Sequence, residues 1–504
     1  MVLRLEFCPW SSDDERKLEV TRLGNSRQVT IGGDGCWPTD SDQVVAARLI
    51  GEGPKCKSGR IKGRIWRAAS SFCRCRKGVG GGERSSSRGR SDRWVFSMAP
   101  PFLSRGVMCG RMCSVVVSSR ENQNGNPSFR MGINQHGDQE IVEFWEGLPM
   151  EMRKLAFELH RTECEVENTI VVCHSEPGAW YPPLFQTVPC PPTGYGHFRH
   201  VIGRTMFETD RLNIEHVRRC NQMDSVWVPT NFHVSAFVDS GVDPSKVVKV
   251  IQPVDVKFFD PDKYMPLELS SRGKLVLGSN SLKSSNSNTK FVFLSIFKWE
   301  YRKGWDVLLL AYLKEFSYGD GVVLYLLTNP YHSDRDFGDK IVDFVDDSDL
   351  VKPVDGWAPI YVIDSHIPHV DLPRLYKAAD VFVLPSRGEG WGRPIVEAMA
   401  MSLPVITTNW SGPTEYLTEE NSYPLPVDVM SEVFEGPFKG HLWAQPSVDR
   451  LRVLMRHAVS TPEEAKAKGR RAREDMIGRF SPEIVAGIVT DHVLQILNKT
   501  AGII

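Results

Sequence analysis

The run PSRGEGWGRPIVEAMAMSLPVI (385–406) sets two carboxylates, Glu389 and Glu397, eight positions apart, around a glycine-rich turn and inside an otherwise apolar stretch. An unpaired buried charge is costly, so carboxylates placed there need donors, and hydroxyl groups of a ligand are donors of that kind. VFVLP reads as a strand that delivers the chain to the turn SRGEGWG, and Pro394 stands where a helix should begin. Glu389 is then expected on the turn and Glu397 in the first helical turn. Both would face the carboxyl edge of a sheet, at a helix N-terminus whose N–H groups and dipole attract anions. Gly388, Gly390 and Gly392 would let the backbone approach a ligand closely. The plainer alternative is that Glu397 only complements its own helix dipole and that Glu389 is an exposed turn residue.

A second cluster bears on that choice. FLSIFKWEYRKGWD places Lys298, Arg302 and Lys303 immediately after another strand, so the three cations should reach the same sheet edge as Glu389. Cations beside a helix N-terminus make a seat for a diphosphate, although alone they would read as a solvated loop.

The elements that must position these groups follow from periodicity. FVFLSIF (291–297), VVLYLLT (322–328), IYVI (360–363), VFVLP (381–385) and PVITT (404–408) read as strands, with helices at 304–316 and 371–379 between them. Such β-branched strands alternating with helices imply a parallel sheet covered on both faces, a doubly wound α/β domain. An earlier series resembles it: strands at 130–138, 169–177, 225–230 and 246–251, and helices at 208–224 and 232–241. The fold class expected is therefore α/β, with two doubly wound domains facing a cleft. The expected division is a basic, disordered segment (1–97), an N-terminal domain (98–255), a polar linker (256–290) and a C-terminal domain with terminal helices (291–504). In the N-terminal domain, RMCSVVVSS is short, lies close to the next strand and lacks the helix a first unit should have, so this domain is expected to be incomplete.

Composition narrows the function classes. At 504 residues, 41% apolar, 24% charged and with a formal net charge of -1, the chain is not built as a whole to hold nucleic acid. No window reaches the roughly 18 apolar residues of a membrane span and no signal-peptide apolar region opens the chain, which gives a cytoplasmic expectation. Eleven scattered cysteines read mostly as free thiols. Residues 55–93 hold thirteen Lys or Arg against Glu83 and Asp92. That segment reads either as a basic arm for nucleic acid or for weak contact with an anionic membrane surface, or as a solvated tail.

The stretches SIFKWEYRKGWDVLLLAY and ADVFVLPSRGEGWGRPIVEAMAMSLPVITTNWSGPTEYL resemble the donor-binding domain of the GT4-type retaining glycosyltransferases of GT-B fold. HSEPGAW and the stretch from IGRTMFETDR to FVDSGVD resemble the acceptor half more loosely. The resemblance implies a hexosyl transfer from a UDP-, GDP- or ADP-sugar to a glycan, lipid or small-molecule acceptor. It implies no metal and no other cofactor, and no protein nucleophile. It assigns the ribose hydroxyls to Glu397, hydroxyls of the donor sugar to Glu389 and the diphosphate to Lys303, with Lys298 and Arg302 supporting. Backbone N–H groups around Gly390, Trp391 and Gly392, beside Gly388 and Arg393, would complete the donor site. Lys298 stands where the family usually has arginine, and Phe297 where it usually has glycine. His174, at the end of TIVVC, matches a family histidine near donor and acceptor; His136 in QHGD and Glu208 in MFETDR are further cleft candidates. The catalytic set expected is Glu389, His174 and Lys303. Two other classes stay open: a nucleotide-sugar binder without turnover, and a GT-B phosphorylase cleaving glycans with phosphate.

Overall fold

The computed structural model describes residues 166–500 apart from 188, 195, 280–290 and 331–335, together with 150, 151, 153, 154 and the backbone of five earlier strands. Those strands are β1 (Val2–Glu6), β2 (Gln28–Ile31), β3 (Ala47–Ile50), β4 (Met112–Ser118) and β5 (Ser128–Asn134). The basic run 55–93 and His136 lie outside the described residues. The segment 1–97, for which the sequence shows no sustained period, nonetheless supplies β1 to a sheet and the β2–β3 pair.

The chain divides into two compact units: 1–205 with 215–227 and 489–504, and 206–214 with 228–488. In the first, β6 (Thr169–His174), β7 (His200–Arg204) and β8 (Ser225–Val228) run parallel, and α1 (Ile214–Gln222) precedes β8. β4 departs from that pattern, pairing antiparallel with both β5 and β6. The segment 119–127 is too short for a crossover helix but long enough for a hairpin, which explains the missing first unit. Cys173 on β6 is bonded to Cys190, correcting the free-thiol reading for this pair; 177–190 folds back so that Trp180 and Cys190 form an isolated bridge. Cys220 is free and buried.

The second unit opens with α2 (Asn231–Asp239), capped by Thr230 and closed by Gly241 at φ 105°, then β9 (Val247–Lys249). Its main sheet comprises β10 (Lys274–Leu277), β11 (Phe291–Trp299), β12 (Val322–Pro330), β13 (Ile360–Ile363), β14 (Val381–Leu384), β15 (Val405–Thr408) and β16 (Tyr423–Leu425). The order is β10-β13-β12-β11-β14-β15-β16, parallel except for the edge strand β10. Four helices occupy connections: α3 (Trp305–Glu315), α4 (Phe337–Asp346), α5 (Leu372–Lys377) and α6 (Arg393–Ala400). The strand order reverses between β11 and β14, and in open α/β sheets ligands bind at such a switch point, beyond the carboxyl ends of the strands. A small hairpin, β17 (Val429–Glu432) and β18 (Leu442–Gln445), precedes the helices α7 (Val448–Ser460), α8 (Pro462–Phe480) and α9 (Pro482–Thr500).

The division falls earlier than the polar stretch 256–290 suggests, and that stretch is partly structured: β10 edges the sheet, and the Leu267 N–H donates to Arg374 O on α5 at 2.9 Å. Residues 208–213 are not helical, because Thr209, Asp210 and Arg211 all bond to the β17–β18 hairpin. α9 ends in the first unit, where His492 Nδ1 accepts from Trp227 Nε1 at 3.0 Å and Leu497 O from Arg199 at 3.2 Å. Among the described residues no helix is long and apolar enough to cross a membrane.

The site helix α6 is fixed from below. Ile395, Val396 and Met399 are fully buried, each burial contributing about 1.5–3 kcal/mol, and Arg473 of α8 donates to the terminal carbonyl of Ala400 at 2.6 Å. Close packing of α8 is possible because Gly469 has no side chain: a Cβ there would stand 2.1 Å from Ser402 O. Gly478, on the same helix, faces open space. Gly469→Ala is expected to destabilise the protein by 1 kcal/mol or more, since a backbone atom must move, whereas Gly478→Ala should gain up to ~1 kcal/mol from helix propensity. Urea denaturation midpoints of the two variants check the contrast.

Candidate functional site

Two loops meet at the carboxyl edge of the second unit's sheet, one following β11 and one following β14. The first makes a turn of 3-10 helix (Tyr301–Lys303) and reaches α3 through Gly304 at φ 67°. Only glycine fits at 304, because a Cβ would lie 2.0 Å from Pro385 O on the second loop. The loops are also bonded to each other: the Arg387 N–H donates to Arg302 O at 2.7 Å, and Arg302 Nη1 donates to Gly388 O at 2.6 Å.

Arg387 is fully buried. Its guanidinium grips both oxygens of Asp306 at 2.8 and 2.7 Å, donates to Tyr301 O at 2.7 Å and lies 3.7 Å from the centroid of the Tyr301 ring. Its terminal N–H groups are aimed at the first loop, while Nε donates to Gln445 Oε1 of β18 at 3.4 Å, so Arg387 fixes the geometry in which the other charges meet.

Those charges converge on Glu389. Lys303 Nζ donates to both its oxygens, at 2.7 and 2.9 Å, and Arg302 Nη1 stands 3.7 Å from Oε1. Burial alone would push the Glu389 carboxyl up, but Lys303 and Arg302 override it and hold the group below the usual carboxylate range. Glu389 is 6% exposed, which removes the reading of an exposed turn residue. Its N–H donates to the hydroxyl of Ser411, a residue with φ 59° and ψ -140°, and its carbonyl accepts from Gly412 N–H at 2.9 Å. Strained backbone of this kind costs on the order of 1–3 kcal/mol and persists only where the surroundings enforce it.

Glu397 lies one residue further into the helix than the sequence suggests, because Gly392, at φ 84°, holds the N-cap position and α6 begins at Arg393 rather than at Pro394. Its carboxylate accepts from the Tyr376 hydroxyl at 2.9 Å and from Arg393 Nη2 at 3.1 Å. Trp391 turns inward, 2% exposed, edge-on to Tyr416 and Phe480. Among the described residues, the backbone N–H groups of Gly390, Trp391 and Gly392 donate to no protein acceptor. Lys298 is the penultimate residue of β11, in register with Asn329, while Phe297 is core.

Glu208 also belongs to this unit. Its backbone packs on the second loop so closely that a Cβ at Gly388 would stand 2.1 Å from Glu208 O, and its carboxylate lies 3.8 Å from Arg302 Nη1. Burial pushes this carboxyl up, Arg302 pulls it back and Glu389 pushes it up again. His174 stands at the end of β6 in the other unit, where burial, and secondarily Arg204, lowers its pKa to about 3, so its ring is neutral. The structure thus gathers Arg302, Lys303, Gly388, Glu389 and Glu208, with Gly390, Gly392, Arg393 and Glu397 along the start of α6. Sequence reasoning missed Arg387, Tyr376 and Ser411; the ArgGly pair preceding Glu389 was the only signal for the first, and the others carry none.

Residues 363–475 match the family model described as Glycosyl transferases group 1. Two curated relatives match short stretches: O-antigen chain mannosyltransferase B of Escherichia coli, 42% identical over 65 residues, and the lipopolysaccharide core biosynthesis mannosyltransferase LpsB of Rhizobium meliloti (strain 1021), 42% identical over 50 residues. These stretches are 13% and 10% of this chain and span only 17% and 14% of the relatives' lengths. Among solved structures, HepE of Anabaena in complex with UDP and glucose is similar at 13% identity and a TM-score of 0.45, covering 59% of this chain and 72% of that one. Sucrose-phosphate synthase from Thermosynechococcus elongatus is similar at 18% identity and a TM-score of 0.44, covering 60% and 69%. The family match encloses the second loop, with Glu389 and Glu397, and does not reach the first, which carries Arg302 and Lys303: over residues 363–475 this chain carries a glycosyl transferases group 1 domain.

Proposed function

We propose that this protein transfers a hexosyl group from a nucleoside-diphosphate sugar to a hydroxyl acceptor, with retention and without a metal. The observation that carries the reading is the convergence of Arg302 and Lys303 on Glu389 at the switch point, Glu389 itself lying within the stretch that matches the glycosyl transferases group 1 model. Two cations and the unengaged N–H groups of Gly390, Trp391 and Gly392 would receive the diphosphate. Negative charge building on the leaving phosphate would be stabilised by groups already in place, the largest electrostatic contribution such a site can make. Glu389 and Glu397 would accept hydroxyls of the sugar and the ribose, and His174, neutral, would act as a hydrogen-bonding group rather than a charge. The mannosyltransferase relatives bring a mannosyl donor into the range to be tested.

A second reading, donor binding without transfer, is favoured by one observation: the antiparallel β4–β5 pair in place of a crossover unit. The acceptor, whether glycan, lipid or small molecule, is part of the proposal only as a hydroxyl.

Thermal unfolding of the full chain with UDP-glucose, GDP-mannose and ADP-glucose tests the donor site. One donor is expected to raise the midpoint, corresponding to about 2.7 kcal/mol at a hundredfold excess over Kd, and Lys303→Met should lose that shift. A rise with none of the three, in a cooperatively unfolding protein, would sink the reading. Sugar transfer with the stabilising donor then separates enzyme from binder.

Glu389→Gln should separate binding from turnover. It removes the carboxylate that occupies Lys303, so Kd for the nucleoside diphosphate alone should fall about fivefold, equivalent to ~1 kcal/mol, while transfer drops. Loss of both together would show that Glu389 serves only to hold the loops.

A further inference from the structure

We propose that Glu208 is the proton-binding group of the donor site, taking up a proton from solvent as the diphosphate of a donor binds; this rests on the donor reading above. The argument begins with charge. Around the meeting point of the two loops lie three carboxylates, Glu208, Glu300 and Glu389, and two cations, Arg302 and Lys303. One negative charge is already in excess. The diphosphate of a nucleotide sugar brings two more to the same cations, in a place where burial weakens solvent screening. Uptake of a proton by one of the carboxylates relieves that repulsion.

Geometry selects which one. Glu389 is held by Lys303 through both oxygens, and Glu300 accepts a hydrogen bond from Arg302 Nη2 at 2.7 Å. Glu208 has only Arg302 Nη1 at 3.8 Å, beyond hydrogen-bonding distance. It is the least compensated of the three, and burial already favours its neutral form.

Its backbone is held on both sides. On one side of it, Phe207 packs against Phe237 and Phe438, and its carbonyl lies 2.8 Å from His233 Nε2. On the other, Thr209 Oγ1 lies 3.0 Å from His441 Nδ1, Asp210 exchanges two hydrogen bonds with the backbone of Leu442, and Arg211 donates to Gly440 O. The charged and titratable groups around Glu208 are therefore Arg302, Lys303 and Glu300 from the first loop and Glu389 from the second. Asp210 and Arg211 on its own segment pair with each other at 2.9 Å and bond to the backbone of Leu442 and Gly440, and His441 on the hairpin is engaged with Thr209. His441 has its pKa lowered by burial and by Arg211, so it gains a proton less readily than an ordinary imidazole.

Calorimetric titration of the full chain with UDP-glucose, GDP-mannose and ADP-glucose, in buffers of different ionisation heat between pH 5.5 and 8, counts the protons. These donors carry no group that titrates in that range, so any uptake belongs to the protein. Uptake approaching one proton, ~1 per bound donor, is expected at its maximum, declining toward the pH extremes where Glu208 is protonated, or unprotonated, in both states. Glu208→Gln should still bind and lose at least about four-fifths of the uptake. Glu300→Gln removes a neighbour that pushes the Glu208 carboxyl up, and should move the maximum to lower pH. Binding by the wild type without uptake at any pH overturns the proposal, as does uptake that survives Glu208→Gln. Should Glu208→Gln fail to fold, an unmoved maximum in Glu300→Gln overturns it instead. Absence of binding by all three donors overturns the donor reading and this inference with it.

Discussion

Arg387 without solvent is the constraint on which the rest of the second unit's edge depends. A fully buried guanidinium is tolerable only with its donors satisfied, and here Asp306, Tyr301 O and the Tyr301 ring satisfy them. These three lie on the loop after β11 or at the start of α3, and Nε donates besides to Gln445 of β18 at 3.4 Å, whereas Arg387 itself belongs to the loop after β14. Breaking such a pair leaves one uncompensated charge inside, at a cost of about 3–5 kcal/mol, so the two loops are held in one relative position. Gly304 and Gly388 then allow the backbones to close to contact distance.

Within that frame the charges behave as a group. Lys303 and Arg302 keep Glu389 ionised against its burial, while the same burial, with less compensation, pushes Glu208 the other way. The pKa values of two carboxylates near one pair of cations are thereby moved in opposite directions, down where the cations outweigh burial and up where burial outweighs the cations. The arrangement has the form of pre-organisation: donors and acceptors are fixed before a ligand arrives, and no side chain of the set is left in open solvent.

Much of the second unit is legible in the sequence because its strands are buried on both faces. FVFLSIF, VVLYLLT and VFVLP have no polar alternation to confuse, and each appears as a strand within two residues of its expected ends. The carboxylate pair and the cations are legible for a different reason, since charges inside apolar runs are conspicuous. What was not legible depended on contacts distant in sequence. Residues 208–213 carry helix-compatible composition, yet their side chains bond to a hairpin more than two hundred positions later. Tyr376 meets Glu397 only because α5 and α6 pack side by side, and the strain at Ser411 is set by the backbone it supports rather than by its own residue type. In the first unit the short connection 119–127 signalled an anomaly, but only the strand pairing showed it to be an antiparallel hairpin.

The helix α9 has a consequence for any attempt to take this protein apart. Its first residues, through Ile488, belong to the second unit and its last turns, from Val489, to the first, where they meet Trp227 and Arg199. Neither unit is therefore a continuous stretch of polypeptide. A single cut cannot release either half whole, and a ribosome finishing the second unit has not yet supplied the last piece of the first, so the N-terminal unit must wait until the residues from Val489 onward are made before its contacts are complete.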